Sequence, residues 1–439
     1  AKDKICFEPD ATCSADECEF AAGYYDRLRD ALPQAFQKDA LTRETVEALA
    51  RDFRLCPFEF SLELSNYADC IVCDYNYAFD PRVYLRRFFM EAGGEYTFLI
   101  DEAHNLVDRS REMFSAELSQ KAFLDLRRSL KTALPGLHIT MGRIGKALSE
   151  CGGSGETPDS PAADEHPPDD MLPLLTLFLK QAEGWLTKNQ KDECREALLQ
   201  LYFTVSAFVN ILLRYDETYR TCYIPDHPDL RVKLLCIDPS GQLAEALTRC
   251  RAAVFFSATL APLTYFKRMF GCDGSVDSMV LPSPFAPANF GLFISNRIST
   301  LYKHRRHTAG DVGRMLAVLA RQKKGNYLFY FPSYAYLQLV YDIFRAECPR
   351  IQTLVQSPEM TEKARCDFLN HFVSDNTETL AGFAVMGGIF GEGIDLVGER
   401  LCGAVIVGVG LPAICPERDL IRDYFDGRGA GFDFAYRFP

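Results

Sequence analysis

Asp101 and Glu102 are the residues with the clearest chemical potential. They close the apolar run 96–100 and are followed at once by Ala103 and His104. The run has the composition of a buried strand, and a strand that ends in carboxylates delivers them to the edge where open α/β sheets bind ligands. Magnesium prefers one or two carboxylates completed by phosphate oxygens and water. The pair therefore suits a site in which Asp101 holds Mg²⁺ and Glu102 polarises a water for attack on a phosphoryl group. A second apolar run, 252–256, ends in Ser257-Ala258-Thr259, and its two hydroxyls can link one site to another by hydrogen bonds. A third stretch, 387–396, places Gly387, Gly388, Gly391 and Gly393 ahead of Asp395. Glycines at that density permit close approach of backbone to a ligand.

Metal chemistry is the other possibility the residue types raise. Cys6, Cys13, Cys18 and Cys56 are separated by six, four and thirty-seven residues. Four thiolates suit an iron–sulfur cluster or structural zinc, and they can also be four unrelated buried thiols. Structural zinc favours paired knuckles, and only Cys13 and Cys18 come near one, so the uneven spacing favours the cluster. Cys70 and Cys73 look like a further knuckle. Residues 68–77 read as a buried strand, however, and residues three apart on a strand point to opposite faces, which makes core packing the expectation there. Residues 142–147 imitate a phosphate loop with too few residues between the glycines and no hydroxyl at Ala147; no Gly-x₄-Gly-Lys-Ser/Thr occurs in the 439 residues.

The elements that must position these residues follow from pattern. Residues 24–50 read as helix, broken only by Pro33. Residues 108–150 are helical in period, with Phe114, Leu118, Leu126 and Leu130 in step. Residues 151–170 hold glycine, proline, serine and acids with no Lys or Arg, a composition that cannot bury enough surface to order itself. A second helical block follows from about 172 to 219 and carries the only tryptophan, Trp185. Strand and helix then alternate again. Prolines 282, 284 and 287 mark a boundary, and 327–331, 382–386 and 404–409 read as buried strands.

Bulk composition narrows the classes. Apolar residues make up 48% and charged residues 25%, ordinary for a globular protein. The net charge of −12 excludes nucleic-acid binding driven by overall charge but leaves room for a local basic groove. Sixteen cysteines scattered through apolar runs, with no signal peptide ahead of them, fit a reduced cytoplasm better than a secreted disulfide framework. No apolar run is long enough to span a membrane. The chain starts at Ala1 rather than Met, so it is expected to be an excised or processed piece.

Taken together these stretches resemble the XPD/DinG family of superfamily 2 helicases, which carry an iron–sulfur cluster. The match is in order as well as content: cysteines, acidic box, helical insertion, Ser-Ala-Thr, then a second α/β block with Gly391-Glu392-Gly393-Ile394-Asp395. The resemblance implies an α/β fold with two RecA-like parallel-sheet motor domains, an inserted iron–sulfur domain and an all-α arch domain. On that reading 1–68 is the iron–sulfur domain and 69–107 the part of motor domain 1 with the DEAH box. Residues 108–239 form the arch-like insertion, with 151–170 a disordered acidic linker. Residues 240–288 return to motor domain 1, and 289–439 are a C-terminally truncated motor domain 2.

The resemblance also assigns roles. Cys6, Cys13, Cys18 and Cys56 would hold a [4Fe-4S] cluster. Asp101 would bind Mg²⁺ and Glu102 act as base, and His104 would couple the nucleotide site to Ser257 and Thr259. Ser333, in Tyr330-Phe331-Pro332-Ser333, and Gly391, Glu392, Gly393 and Asp395 would meet nucleotide or DNA. Arg86, Arg87 and Tyr77 are further candidate DNA contacts. The implied activity is ATP-driven 5′-to-3′ translocation on single-stranded DNA with unwinding at duplex junctions, as in DNA repair and replication, by a monomer without a membrane partner. Family members also carry a phosphate loop before the cysteines and an arginine-rich motif after the last glycine motif. Neither is found here, so the chain is expected to be an internal fragment, inactive alone. The rival expectation is a non-catalytic iron–sulfur or zinc module that binds single-stranded nucleic acid.

Overall fold

The computed structural model describes residues 6–8, 13–89, 95–132, 134–151, 161–188, 194–272, 276–412, 414–427 and 429–438. The chain divides into two units, Ala1–Asp277 with Ile414–Pro439, and Ser278–Ala413. Residues 414–439, read in sequence with the second motor domain, thus pack in the first unit. The described strands are β1 (Thr97–Ile100), β2 (Ala116–Ser119), β3 (Ala162–Asp164), β4 (Tyr219–Asp226), β5 (Asp229–Cys236), β6 (Ala252–Phe255), β7 (Asn326–Phe331), β8 (Gln352–Val355), β9 (Leu380–Val385) and β10 (Gly403–Ile406).

In the first unit the expected helix at 24–50 is two helices, Tyr24–Ala35 and Arg43–Asp52. Thr42 starts the second by accepting a hydrogen bond from the Thr45 amide at 3.3 Å, the usual service of an N-cap hydroxyl. Helix Pro57–Ser65 completes the bundle, with proline at its first position where no amide is needed. Ala31, Ala35, Ala50, Leu55 and Phe60 are fully buried between the three.

The sheet that carries the acidic box is β1 paired in parallel with β6, Thr97 opposite Ala252 and Ile100 opposite Phe255. Among the described residues no third strand joins it. A groove of about 850 Å³ beside β1 is lined by 68–75, 77–79, Leu85, Phe88, Phe89 and 95–102. The expected strand at 68–77 does not form: among the described residues 68–74 belong to no strand of any sheet. Cys70 and Cys73 are exposed rather than packed in a core, and Val72 is 95% exposed. Tyr75–Phe79 is a short helix.

The insertion corrects another expectation: it is not all-α. β2, β5, β4 and β3 form an antiparallel sheet in that order. Arg231-Val232-Lys233-Leu234 alternates charged and buried apolar side chains, the two-residue period of a half-covered strand. At the hairpin, the Asp229 carboxylate accepts from the Lys121 amide and the Ser119 hydroxyl, each at 2.7 Å, which ties the turn to β2. Helices Gln120–Ser129, Pro135–Cys151, Leu172–Leu186 and Arg195–Leu212 cover the sheet through Phe123, Met141, Phe178 and Phe208. Of the stretch expected as a disordered acidic linker, 152–160 lie outside the described residues. Ala162–Asp164 are strand β3, paired with β4, because a ladder is made by backbone groups and tolerates polar side chains. Helix Pro416–Asp426 closes on this unit through a 2.6 Å ion pair between Lys233 and Glu417, and Phe434 packs edge-on against Tyr265.

The second unit is a parallel sheet in the order β10-β7-β9-β8. Along β7 the side chains alternate: Tyr327, Phe329 and Phe331 join the core with helices Arg305–Gln322 and Tyr334–Glu347, while Leu328 and Tyr330 join Phe368 and Phe372 on the opposite face. β9 lies between covered faces and is buried throughout, as parallel sheets require. Among the described residues no helix is long and apolar enough to cross a membrane. Gly382 sits at the middle of β9, where a Cβ would lie 2.8 Å from both the Leu328 Cδ2 and the Phe372 Cζ. Gly382→Ala is expected to destabilise this unit by about 1–3 kcal/mol. Calorimetry should show the lowered transition, while the fluorescence transition of Trp185, which belongs to the first unit, stays in place.

Candidate active site

The acidic turn is built by the end of the β1–β6 ladder. Beyond the last paired residues, the Phe256 amide donates to Ile100 O at 3.0 Å and the Ala103 amide donates to Phe256 O at 3.1 Å. The turn is thereby clamped to the segment that carries Ser257. Between these two bonds Glu102 adopts φ 44°, ψ 43°, a left-handed conformation that costs a side-chain-bearing residue roughly 1–2 kcal/mol. The Asp101 Oδ1 accepts from the Glu102 amide at 2.8 Å. The Tyr75 hydroxyl donates toward Asp101 O at 2.5 Å and Glu102 O at 2.9 Å.

The side chains then converge on one hydroxyl. Ser257 Oγ donates to Glu102 Oε2 at 3.0 Å. Its lone pairs face the Thr259 amide at 3.2 Å and His104 Nδ1 at 2.8 Å. A hydroxyl has one proton and two acceptor sites, so with the proton on Glu102 the network assigns the Nδ1–H donor to His104. His104 Nδ1 also lies 3.4 Å from Glu102 Oε2, and Thr259 Oγ1 lies 3.3 Å from Ser257 Oγ. Asp101, Glu102, His104, Ser257 and Thr259 are thus gathered in one cluster. Asp101 and Glu102 are exposed, and in each carboxylate one oxygen is engaged by the protein while the other is not engaged by these bonds. Hard oxygen donors in that number fit Mg²⁺, which takes the rest of its shell from phosphate and water.

In the second unit the other predicted residues stand at the C-terminal edge of neighbouring strands. Ser333 follows β7 and caps helix Tyr334–Glu347, accepting from the Tyr336 amide at 3.4 Å. The glycine-rich loop follows β9. The Tyr330 hydroxyl donates to Phe390 O at 2.8 Å, Arg365 Nη2 to Gly393 O at 3.2 Å, and Arg400 Nη1 to Asp395 O at 3.3 Å. Gly393 has φ 66°, which favours glycine there. Gly391, Glu392, Gly393 and Asp395 are exposed. This edge of a parallel sheet is where ligands bind.

Of the cysteines, Cys6, Cys18 and Cys56 are half-buried and Cys13 is exposed, and Cys56 precedes helix Pro57–Ser65. Burial pushes the Cys18 thiol up, with Glu8 adding to the effect. Among the described residues no group of three or more His, Cys, Asp or Glu side chains is arranged to hold a metal ion. Among the described residues these cysteines are not gathered as a cluster cage. Of the candidate DNA contacts, Arg86 lies over the Tyr84 ring at 5.5 Å and Tyr77 is half-buried; the side chain of Arg87 lies outside the described residues. Tyr75, Arg365 and Arg400 belong to none of the motifs read from sequence. The one signal available was the Tyr75-Asn76-Tyr77 run two residues after Cys73.

Fold and site together define a parallel-sheet α/β protein with an acidic turn at the sheet's C-terminal edge. The family model DEAD_2 matches residues 1–123, and the helicase C-terminal domain model matches residues 316–438. The ATP-dependent DNA helicase chl1 of Aspergillus clavatus is 22% identical over 453 residues, covering 88% of this chain and 61% of the relative. The CHL1 helicase of Debaryomyces hansenii is 19% identical, covering 91% of this chain and 55% of the relative. A solved XPD helicase matches with a TM-score of 0.55 at 20% identity, over 92% of this chain and 71% of that one. A solved apo XPD gives 0.55 at 18% identity, over 86% and 74%. The chain belongs to the XPD/Chl1 family of superfamily 2 helicases. It spans a little over half the length of the two Chl1 relatives named.

The backbone of Glu102 offers a direct check on the turn. Glu102→Gly and Glu102→Ala both lose the carboxylate and its bond to Ser257, so that loss cancels between them. The glycine variant is expected to be more stable by about 1–2 kcal/mol, because only alanine meets the left-handed penalty; paired urea melts read the difference.

Proposed function

We propose that this chain supplies motor segments of an ATP-dependent DNA helicase that translocates 5′ to 3′ on single-stranded DNA and opens duplex junctions. The observation that carries the reading is the Glu102–Ser257–His104 network, which joins the end of β1 to the end of β6 at an exposed acidic turn. Asp101 would hold the Mg²⁺ of Mg-ATP. The ion, when bound, neutralises charge on the phosphates. Glu102 Oε1 would take the proton of the attacking water while Oε2 keeps its bond to Ser257. Ser257 and Thr259 fix the direction of that carboxylate, and His104 holds the hydroxyl from the other side. In the second unit, Ser333 and the 391–395 loop present hydroxyl and backbone groups to nucleotide or DNA phosphate. DNA contacts of this kind weaken as salt rises.

By the family resemblance, Cys6, Cys13, Cys18 and Cys56 would be the [4Fe-4S] ligands. Purified protein should be brown, and serine at any one of the four should remove the colour. Serine at Cys70 or Cys73 should not, and equal loss there would overturn the assignment.

The function is tested in the polypeptide that carries these residues, by DNA-stimulated ATP hydrolysis. Glu102→Gln is expected to lower kcat by about 10²–10⁴-fold, the usual worth of a positioned base, with single-stranded DNA affinity unchanged. Salt-sensitive DNA binding without ATP turnover in the unaltered protein would instead favour a binding module.

A further inference from the structure

We propose that Tyr75 is a positioning residue for the acidic turn, holding the Asp101 and Glu102 carboxylates in their working directions through the backbone. The inference rests on the reading of that turn as a nucleotide site. In an extended strand successive carbonyls point to opposite sides. At Glu102, φ 44° and ψ 43° bring the carbonyls of 101 and 102 to the same side, and there the single Tyr75 hydroxyl meets both, at 2.5 and 2.9 Å. Rotating Glu102 back to a relaxed conformation would swing one carbonyl away and break half of this bridge. The hydroxyl therefore offsets the left-handed strain at the one residue where it occurs in the site.

The position of Tyr75 is itself fixed. It opens helix Tyr75–Phe79, whose last residue is 1% exposed and packs edge-on against Phe98 of β1 at 6.0 Å. Arg249 Nη1 donates to Ala78 O at 2.7 Å, tying the same helix to the residues that lead into β6. Tyr75 is thus anchored to both strands while its hydroxyl reaches the turn between them. From there the order passes outward. Asp101 Oδ1 is held by the Glu102 amide, and the Glu102 carboxylate by Ser257. Both of these Tyr75 bonds go to main-chain carbonyls, so their effect on the carboxylates passes through the peptide planes.

The test is Tyr75→Phe, which keeps the ring and removes the hydroxyl, compared with Glu102→Gln in the same polypeptide. Without nucleotide, amide hydrogen exchange across 101–105 should rise about five- to tenfold, with 97–100 and 252–255 unchanged. ATP turnover should fall about 10- to 100-fold in kcat with little change in KM, as misplacement of reacting groups predicts. Exchange that rises equally along β1 and β6 with kcat intact would show Tyr75 to be merely structural and overturn the proposal. Unaltered exchange and turnover would do the same. If Glu102→Gln is inactive while Tyr75→Phe is fully active, only the Tyr75 proposal falls. If Glu102→Gln keeps full turnover, the nucleotide-site reading falls and takes this inference with it.

Discussion

The parallel pairing of β1 with β6 carries Ser257 to Glu102 across 155 residues of chain, and the chemistry of the first unit depends on that register. Side chains alternate along a strand, so a slip of one residue would turn every one of them to the other face. Ser257 would then leave Glu102, and His104 would lose its partner. The register is held at its end by main-chain bonds that reach past the strands, from Phe256 to Ile100 and from Ala103 to Phe256. Everything between the two strands in sequence, including the antiparallel sheet and its helices, is compatible with the site because it leaves this ladder intact. The second unit follows the same logic with different parts: neighbouring strands β7 and β9 bring Ser333 and the glycine loop to one sheet edge.

Local chemistry made the acidic turn legible. An apolar run closed by Asp101-Glu102-Ala103-His104 announces both the strand and its functional end, and 252–259 announces its partner. Their contact was implied by resemblance and is visible in the structure as hydrogen bonds. β7 and β9 were equally readable, because a fully covered parallel strand needs a continuous apolar run. β10 forms where the apolar run lies, but it is not the buried strand expected at 404–409: Ile406 is 66% exposed. Tyr75 was not readable. Its role depends on where two carbonyls point, and no residue type encodes that direction.

The misread elements share a cause. A strand exists only with a partner, and the sequence of 68–77 records apolar character without saying whether a ladder is within reach. The reverse held for β3, whose Ala162-Ala163-Asp164 has no apolar signal but finds β4 beside it. The Arg231–Leu234 alternation is a strand signal only four residues long, set in an insertion whose other signals are helical. The four cysteines show the limit of spacing: intervals between thiols constrain the loops that could join them without fixing where those loops go.

The Ser257 hydroxyl has polarity, and that lets the cluster keep its shape when a single proton arrives. While Glu102 is ionised, the hydroxyl points its hydrogen at the carboxylate Oε2 and its lone pairs at His104 and Thr259. A carboxyl that captures a proton on Oε1 keeps Oε2 as a carbonyl acceptor. The Ser257 hydrogen then stays where it is, and His104 keeps its Nδ1 proton. A proton gained at the outer oxygen is thus absorbed without turning any dipole on the adjoining strand.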